Sequence, residues 1–306
     1  MRPGRVALGA LATFAIALLS LEVILQVAAL SAPVVIRAAA PGRPGPADAV
    51  TILVVGDSHA AGAGVPHEDN LPSQLERLLV ERHPARAFRI INLGLPGVNS
   101  PWVANRLERN IRMNNPDLII SWVGVNDIWN ATETDAWGNG SWALAVRRLL
   151  LRSKVFRLAT VIWHTRGYDA DSRNKQIREA SRYLAKPPEG ELSRGLGFDL
   201  ERMVAVAREY GVPIIFMNYP VPYAVVNDTI QRTAGELRVP VVDTLHDVAR
   251  AKGEGHDPST LITYVAGPHP TGLLYRYVAE STLPTVEELL RDEIQLGAPE
   301  HAPTAG

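Results

Sequence analysis

The sequence predicts an α/β fold, a mainly parallel five-stranded sheet covered by helices on both faces. Short apolar, β-branched runs recur without polar alternation, the pattern of strands buried on both sides. Between them lie longer stretches with apolar residues at helical spacing, and such βαβα alternation implies parallel strands joined by helical crossovers. At 306 residues, 46% hydrophobic and 21% charged, the chain is long enough to bury a sizeable core.

The first strand is read at 50–55 (VTILVV). Residues 70–82 come next with Leu at helical spacing, and 88–92 (FRIIN) form the second strand. A helix over 101–114 is ended by Asn115-Pro116, because proline disfavours the helical conformation in the residue before it. Residues 117–123 (DLIISWV) are the third strand, with helices expected at 141–163 and 193–210. Residues 212–217 (VPIIFM) give the fourth strand, 226–238 a helix, 239–243 (VPVVD) the fifth strand, and 271–291 a closing helix.

The N-terminus has a different character. After Arg2 and Arg5, residues 6–36 contain a single charged side chain, Glu22. About 20 apolar residues suffice to span a bilayer as a helix. Residues 1–36 are therefore expected to be a membrane anchor, or a signal segment if cleaved. The flanking arginines place the rest of the chain outside the cytoplasmic membrane, periplasmic or extracellular, and secreted in the cleaved case. Residues 37–49 (RAAAPGRPGPADA) read as a tether, 50–293 as the folded domain and 294–306 as a flexible tail.

Composition excludes several chemistries. A formal net charge of −1 argues against nucleic acid as a partner. The chain has no cysteine, which removes disulfides, thiolate zinc sites, iron–sulfur clusters and a cysteine nucleophile. There is no phosphate-binding loop, dinucleotide fingerprint or HExxH. His59, His246 and His256 lack metal-ligand spacing and read as structural. No metal or cofactor is expected.

Ligands of open α/β sheets bind beyond the carboxyl ends of the strands, so the residues just past each strand are the candidates for chemistry. Gly56-Asp57-Ser58 stands after the first, Leu93-Gly94-Leu95-Pro96-Gly97 after the second and Gly124-Val125-Asn126-Asp127 after the third. Gly267-Pro268-His269-Pro270 comes near the C-terminus. Parallel strands would bring a serine, a glycine, an asparagine and a histidine to one rim. A serine needs a base to attack a carbonyl, and histidine is the usual one. A tetrahedral oxyanion needs preorganised donors, a role suited to a glycine N–H and an asparagine amide.

These four blocks resemble the SGNH hydrolases, the GDSL-type esterases and lipases, over nearly the whole predicted domain. GDSHAAGAG at 56–64 puts Ser58 in the nucleophile's place, and NLGLPG at 92–97 puts Gly94 in the oxyanion-donor place. GVND at 124–127 supplies Asn126 as the other donor, and GPHP at 267–270 supplies His269 as base. The resemblance implies a three-layer α/β/α, flavodoxin-like fold and metal-free ester hydrolysis through an acyl-serine. Ala60 breaks the G-x-S-x-G elbow of the ordinary α/β-hydrolases.

The resemblance has one departure: the family's last block is Asp-x-x-His, and Ala266 stands three residues before His269. Replacing the orienting acid of a serine protease triad costs roughly 10⁴ in kcat. Three readings stay open. A backbone carbonyl holds the imidazole in a Ser–His dyad; Asp243, Asp247 or Asp257 reaches in; or activity is lost. Asp57 and Asp127 read as braces for their loops.

All six tryptophans fall between Trp102 and Trp163, and Trp129 and Trp137 are candidate cleft walls, whereas Trp122 and Trp163 read as core. Arg147, Arg148, Arg152 and Arg157 line the long insertion at 128–195 and suit lipid headgroups. Asn130, Asn139 and Asn227 begin sequons. The expected activity is that of a membrane-anchored extracytoplasmic serine esterase whose substrate is an acyl ester on a glycan or a lipid. Transfer of the acyl group to a cell-surface glycan, or glycan binding by a decayed hydrolase, are the alternatives.

Overall fold

The computed structural model describes residues 13, 16–27, 49–130, 153, 155, 188–264 and 267–295. The chain divides into two compact units, residues 1–43 with 139–184, and residues 44–138 with 185–306.

The second unit carries a five-stranded, all-parallel sheet in the order β2-β1-β3-β4-β5. Its strands are β1 (Val50–Gly56), β2 (Phe88–Asn92), β3 (Leu118–Trp122), β4 (Ile214–Met217) and β5 (Val241–Val242). Every residue of β1, β3 and β4 is buried, as continuous apolar runs require of central strands, whereas the edge strand β2 is half-buried beyond Phe88. Full burial of each Ile, Leu or Val in these runs stabilises the fold by about 1.5–3 kcal/mol.

The helices form two packed groups, one over each face. In one, α2 (Leu71–Arg82) packs on α7 (Gly272–Leu289), which also holds α6 (Thr244–Gly253). In the other, α4 (Glu189–Glu209) lies between α3 (Ser100–Asn114) and α5 (Ala224–Leu237). Their starts are set by local chemistry. The side-chain carbonyl of Asn70 accepts from the Ser73 N–H at 2.9 Å and that of Asn99 from the Trp102 N–H at 3.3 Å, each with proline in the first turn. Helix α3 ends at Asn115 in the left-handed region (φ 42°), immediately before Pro116.

The main discrepancies with the sequence reading are short elements. Strand β5 covers two residues where five are expected, α6 is absent from the expectation, and a two-stranded antiparallel ribbon, β6 (Ile262–Thr263) with β7 (His269–Pro270), precedes α7. The closing helix stops at Leu289, and a short α8 (Arg291–Gln295) extends past the expected domain end at 293.

Among the described residues no helix is long and apolar enough to cross a membrane. Residues 16–27 are helical. The rest of the expected anchor at 1–36 (residue 13 apart), the tether through 48, most of the expected helix at 141–163 and the tail from 296 lie outside the described residues.

Candidate active site

The site begins where β1 ends. Gly56 has φ +148°, and a Cβ there would lie 2.0 Å from the Trp122 carbonyl oxygen, so glycine alone allows the two backbones to meet. The Asp57 N–H then donates to that carbonyl at 3.0 Å. The chain turns into a four-residue helix, α1 (Ser58–Ala61), capped by Asp57, whose Oδ1 accepts from the His59 N–H at 2.8 Å. Ser58, partly exposed, is its first residue, and its N–H is one of the donors a helix start leaves unpaired.

His269 arrives from β7, pinned by pairing with Thr263 and by the Thr271 N–H bonding to the Leu261 carbonyl at 2.9 Å. Its Nε2 lies 2.7 Å from Ser58 Oγ and its Nδ1 lies 3.1 Å from the Gly267 carbonyl. A carbonyl only accepts, so Nδ1 carries the hydrogen and Nε2 accepts from the serine hydroxyl. That is the tautomer a general base needs. Gly267 reaches this geometry at φ +108°. Ala266 lies outside the described residues, and the three candidate acids are committed elsewhere. Asp243 caps α6 and accepts from Asn218 Nδ2 at 2.7 Å. Asp247 accepts from Ser281 Oγ at 2.8 Å, and Asp257 accepts from the Ser259 N–H and Oγ, both at 2.8 Å. Those Ser259 bonds hold the Asp257 carboxyl below its usual range.

Asn126 sits 6% exposed on a 3-10 turn, Val125–Ile128. Its Nδ2 donates to the Val98 carbonyl at 2.8 Å, and its Oδ1 accepts from Trp129 Nε1–H at 2.9 Å. The indole can only donate and the carbonyl can only accept, so the amide has one permitted orientation, with Nδ2 turned toward the β2 loop. Trp129, open between wall and core on sequence alone, thus holds the Asn126 amide through its indole N–H.

Gly94 requires a correction. Its N–H donates to Asn92 Oδ1 at 2.9 Å and is thus already engaged. Its requirement is steric: a Cβ would lie 2.3 Å from the Ala61 N, inside the backbone of α1. Gly97, three residues on, turns at φ +82°, and its own N–H has no hydrogen-bond partner among the described residues. Its carbonyl accepts from Asn130 Nδ2 at 2.9 Å, beside the Val98 carbonyl that holds Asn126. The Pro96-Gly97 pair is a type II turn signal, closed by the Val98 N–H on the Leu95 carbonyl at 3.4 Å, and this is the cue that would have found it.

Behind the rim is a buried network that sequence reasoning missed. Tyr219, just past β4 and fully buried, donates its hydroxyl to Asp57 Oδ2 at 2.5 Å and accepts from the Val125 N–H at 3.1 Å. One phenol thus ties the serine turn to the asparagine turn. Burial first, then the Asp57 charge and the bond to it, hold the Tyr219 hydroxyl well above its ordinary pKa, so it stays a donor. Tyr275 adds a bond from its hydroxyl to the His59 carbonyl at 2.8 Å. The His59 ring, 2% exposed, packs between Tyr219 and His269 with both ring centroids 4.8 Å away, the structural role expected of it.

Below Asn126, Ser100 Oγ lies 2.5 Å from Asp127 Oδ2 and 3.0 Å from Asp199 Oδ2, while its N–H donates to Asp127 Oδ1 at 2.8 Å. Burial, partly offset by the two bonds from Ser100, pushes the Asp127 carboxyl up to about 7. Asn130 and Asn227 are buried and bond to backbone carbonyls, which removes both as glycosylation acceptors. Trp122 is fully buried, as expected of core. Trp137, Trp142, Trp163, Asn139 and the insertion arginines lie outside the described residues. Among the described residues no group of three or more His, Asp or Glu is arranged to hold a metal ion.

The model of the GDSL-like Lipase/Acylhydrolase family matches residues 54–277. Comparison with curated proteins finds no match. Similar solved structures include TesA (17% identity, TM-score 0.49, covering 78% of this chain and 99% of that one). A Clostridium thermocellum family 3 carbohydrate esterase is 17% identical, with a TM-score of 0.48 over 80% of this chain and 98% of its own. The acetylxylan esterase Axe2 from Geobacillus stearothermophilus is 16% identical, with a TM-score of 0.46 over 83% and 97%.

Proposed function

Because the chain belongs to the GDSL-like lipase/acylhydrolase family, a family of ester-bond hydrolases, we propose that it cleaves acyl esters through an acyl-serine formed on Ser58. The observation that carries this reading is the 2.7 Å contact from Ser58 Oγ to the acceptor nitrogen of His269. In it, Oγ attacks the ester carbonyl as its proton passes to Nε2. The oxyanion takes hydrogen bonds from the Ser58 N–H, the Gly97 N–H and Asn126 Nδ2. Collapse expels the alcohol, which receives the proton from Nε2. Water then enters, His269 removes its proton, and the acid leaves as Ser58 regains hydrogen. The Gly267 carbonyl fixes the tautomer throughout, a Ser–His dyad in place of a triad.

In this reading the apolar N-terminal segment holds the catalytic domain on the outer side of the cytoplasmic membrane. Acyl esters on cell-surface glycans are the first natural substrates to try; the flat indole of Trp129, 3.6 Å from where a Gly97 Cβ would stand, supports a sugar-facing wall. The test is a panel of p-nitrophenyl esters of increasing acyl length, with a fluorophosphonate probe in parallel. Turnover and labelling that vanish in Ser58→Ala and His269→Ala are expected. Turnover that survives Ser58→Ala overturns the mechanism.

A further inference from the structure

The described part of the first unit contains a helix with its polarity reversed. On residues 16–27 the side chains of Ile16, Leu19, Val23, Ile24 and Val27 are each more than half exposed. The half-buried positions are Glu22, Leu25 and Gln26. A helix in water buries its apolar stripe and shows its charges; this one does the opposite. The inward carboxylate is well supplied. Glu22 Oε1 accepts from Gln26 Nε2 at 2.6 Å, and Oε2 accepts from Ser153 Oγ and from the Val155 N–H, both at 2.8 Å. Hydrogen bonds to an ionised group are the strong ones, and an apolar medium is where an acid most needs them. The sequence around Ser153 matches the boundary of such a medium. No carboxylate occurs between Asp135 and Asp169, while Arg147, Arg148, Arg152, Lys154 and Arg157 crowd into eleven positions. Basic segments interleaved with Leu, Val and Phe are attracted to anionic headgroups, and long basic side chains reach water while their stems stay in the apolar layer.

We propose that an anionic lipid bilayer covers the outward face of residues 16–27, and that Ser153 and Val155 of the insertion lie at its headgroup boundary, latched to the helix through Glu22. This rests on the membrane-anchored reading above and adds a second membrane contact, at Ser153 and Val155.

The absence of native cysteine makes the test direct. Full-length Leu19→Cys, Val155→Cys and Lys252→Cys are placed in vesicles of phosphatidylethanolamine and phosphatidylglycerol. The Val155 change leaves the backbone N–H in place, and Lys252 is an exposed control on α6. Each is read by lipid-nitroxide quenching of a thiol fluorophore and by labelling with an impermeant maleimide. Quenching at positions 19 and 155, strongest from shallow nitroxides at 155, with free labelling at 252, is expected. Adding Glu22→Ala should raise labelling at 155 by about tenfold with position 19 unchanged, while Glu22→Gln, which keeps one acceptor oxygen, should change it less. Quenching at 19 with labelling at 155 as fast as at 252 overturns the latch and leaves the anchor standing. No quenching at 19 overturns both. Labelling at 155 indifferent to Glu22→Ala, or loss of quenching at 19 in that variant, also overturns the latch.

Discussion

Asp127→Asn tests the arithmetic of one proton. Ser100 has a single hydroxyl hydrogen, yet its Oγ lies within bonding distance of two carboxylate oxygens, Asp127 Oδ2 at 2.5 Å and Asp199 Oδ2 at 3.0 Å. Two ionised acceptors and one donor hydrogen leave one contact unmade, and a proton on one of the two carboxyls would make it. Asp127 is its natural place, since it is 4% exposed and burial lifts its carboxyl from 3.8 to about 7, with the charges of Asp199 and Asp57 adding to the rise. Asp199 is the better anion, because Arg202 Nη1 donates to its Oδ1 at 3.1 Å. The protonated Asp127 then donates to Ser100 Oγ, which donates to Asp199.

A raised folded-state pKa means that the native protein binds more protons than the unfolded chain. This contribution to stability is therefore fully present below pH 3.8 and is lost as pH rises through about 7. A shift of roughly three units at 1.36 kcal/mol each makes the loss about 4 kcal/mol. Asparagine reproduces the protonated acid, with Oδ1 for the Ser100 N–H and Nδ2 for Ser100 Oγ, and it does not titrate. Urea unfolding of both proteins from pH 4.5 to 8.5 is the assay, read as the difference between them. The variant should match the wild type near pH 4.5 and exceed it by roughly 2–4 kcal/mol at pH 8. A variant less stable than the wild type at pH 8, or a constant difference across the range, refutes the shared proton.

Asp243→Asn, Asp247→Asn and Asp257→Asn should each leave ester turnover within about twofold, since a dyad held by the Gly267 carbonyl uses none of them; a loss near the roughly 10⁴-fold of a removed triad acid in any one would identify the missing acid. Trp129→Phe keeps the ring and removes the donor to Asn126, so kcat should fall by about 2–10-fold with KM little changed. The same change made in Asn126→Ala should add almost nothing in a double-mutant cycle. Gly94→Ala forces a methyl to within 2.3 Å of the Ala61 nitrogen, and a clear drop in melting temperature, with the Ser58 turn displaced, is expected.

The legible part of the fold was the part built from long, uniform signals. Strands β1, β3 and β4 announce themselves as apolar runs because central parallel strands see core on both sides. Helix α3 shows its end in Asn115-Pro116 because proline acts on the residue before it. The ribbon that delivers His269 has two residues per strand, too few for any period, and its pairing is set by chain that folds elsewhere. Ser58, Asn126 and His269 could be singled out as candidates because each stands in a short block after a strand or near the chain's end. Tyr219 could not. One tyrosine past a strand reads as core, and its role depends on reaching Asp57, 162 positions away, which only the assembled sheet permits.

Gly94 and Gly97 show the finer limit. Both lie on the same rim, and composition does not tell a glycine needed for close approach from one needed for a free N–H. Asn92 bears on it, because its side chain folds back on the Gly94 N–H, whereas the Gly97 N–H has no hydrogen-bond partner among the described residues. The missing acid obeys the same logic. Ala266 removes a carboxylate, but orientation of an imidazole requires only an acceptor at Nδ1 and a fixed ring. The main chain supplies the first through Gly267, at a φ of +108° that favours glycine, and the β6–β7 pairing supplies the second. What a carbonyl does not supply is a full negative charge for the imidazolium formed in the transition state. The buried Asp57 lies close by, with its Oδ1 3.4 Å from the Nδ1 of His59, whose ring packs on His269. On this geometry an Asp57→Asn variant should lower kcat more than the asparagine variants of Asp243, Asp247 and Asp257; because the amide keeps one acceptor for the two donors His59 N–H and Tyr219 hydroxyl, melting temperature is recorded alongside to separate charge from folding.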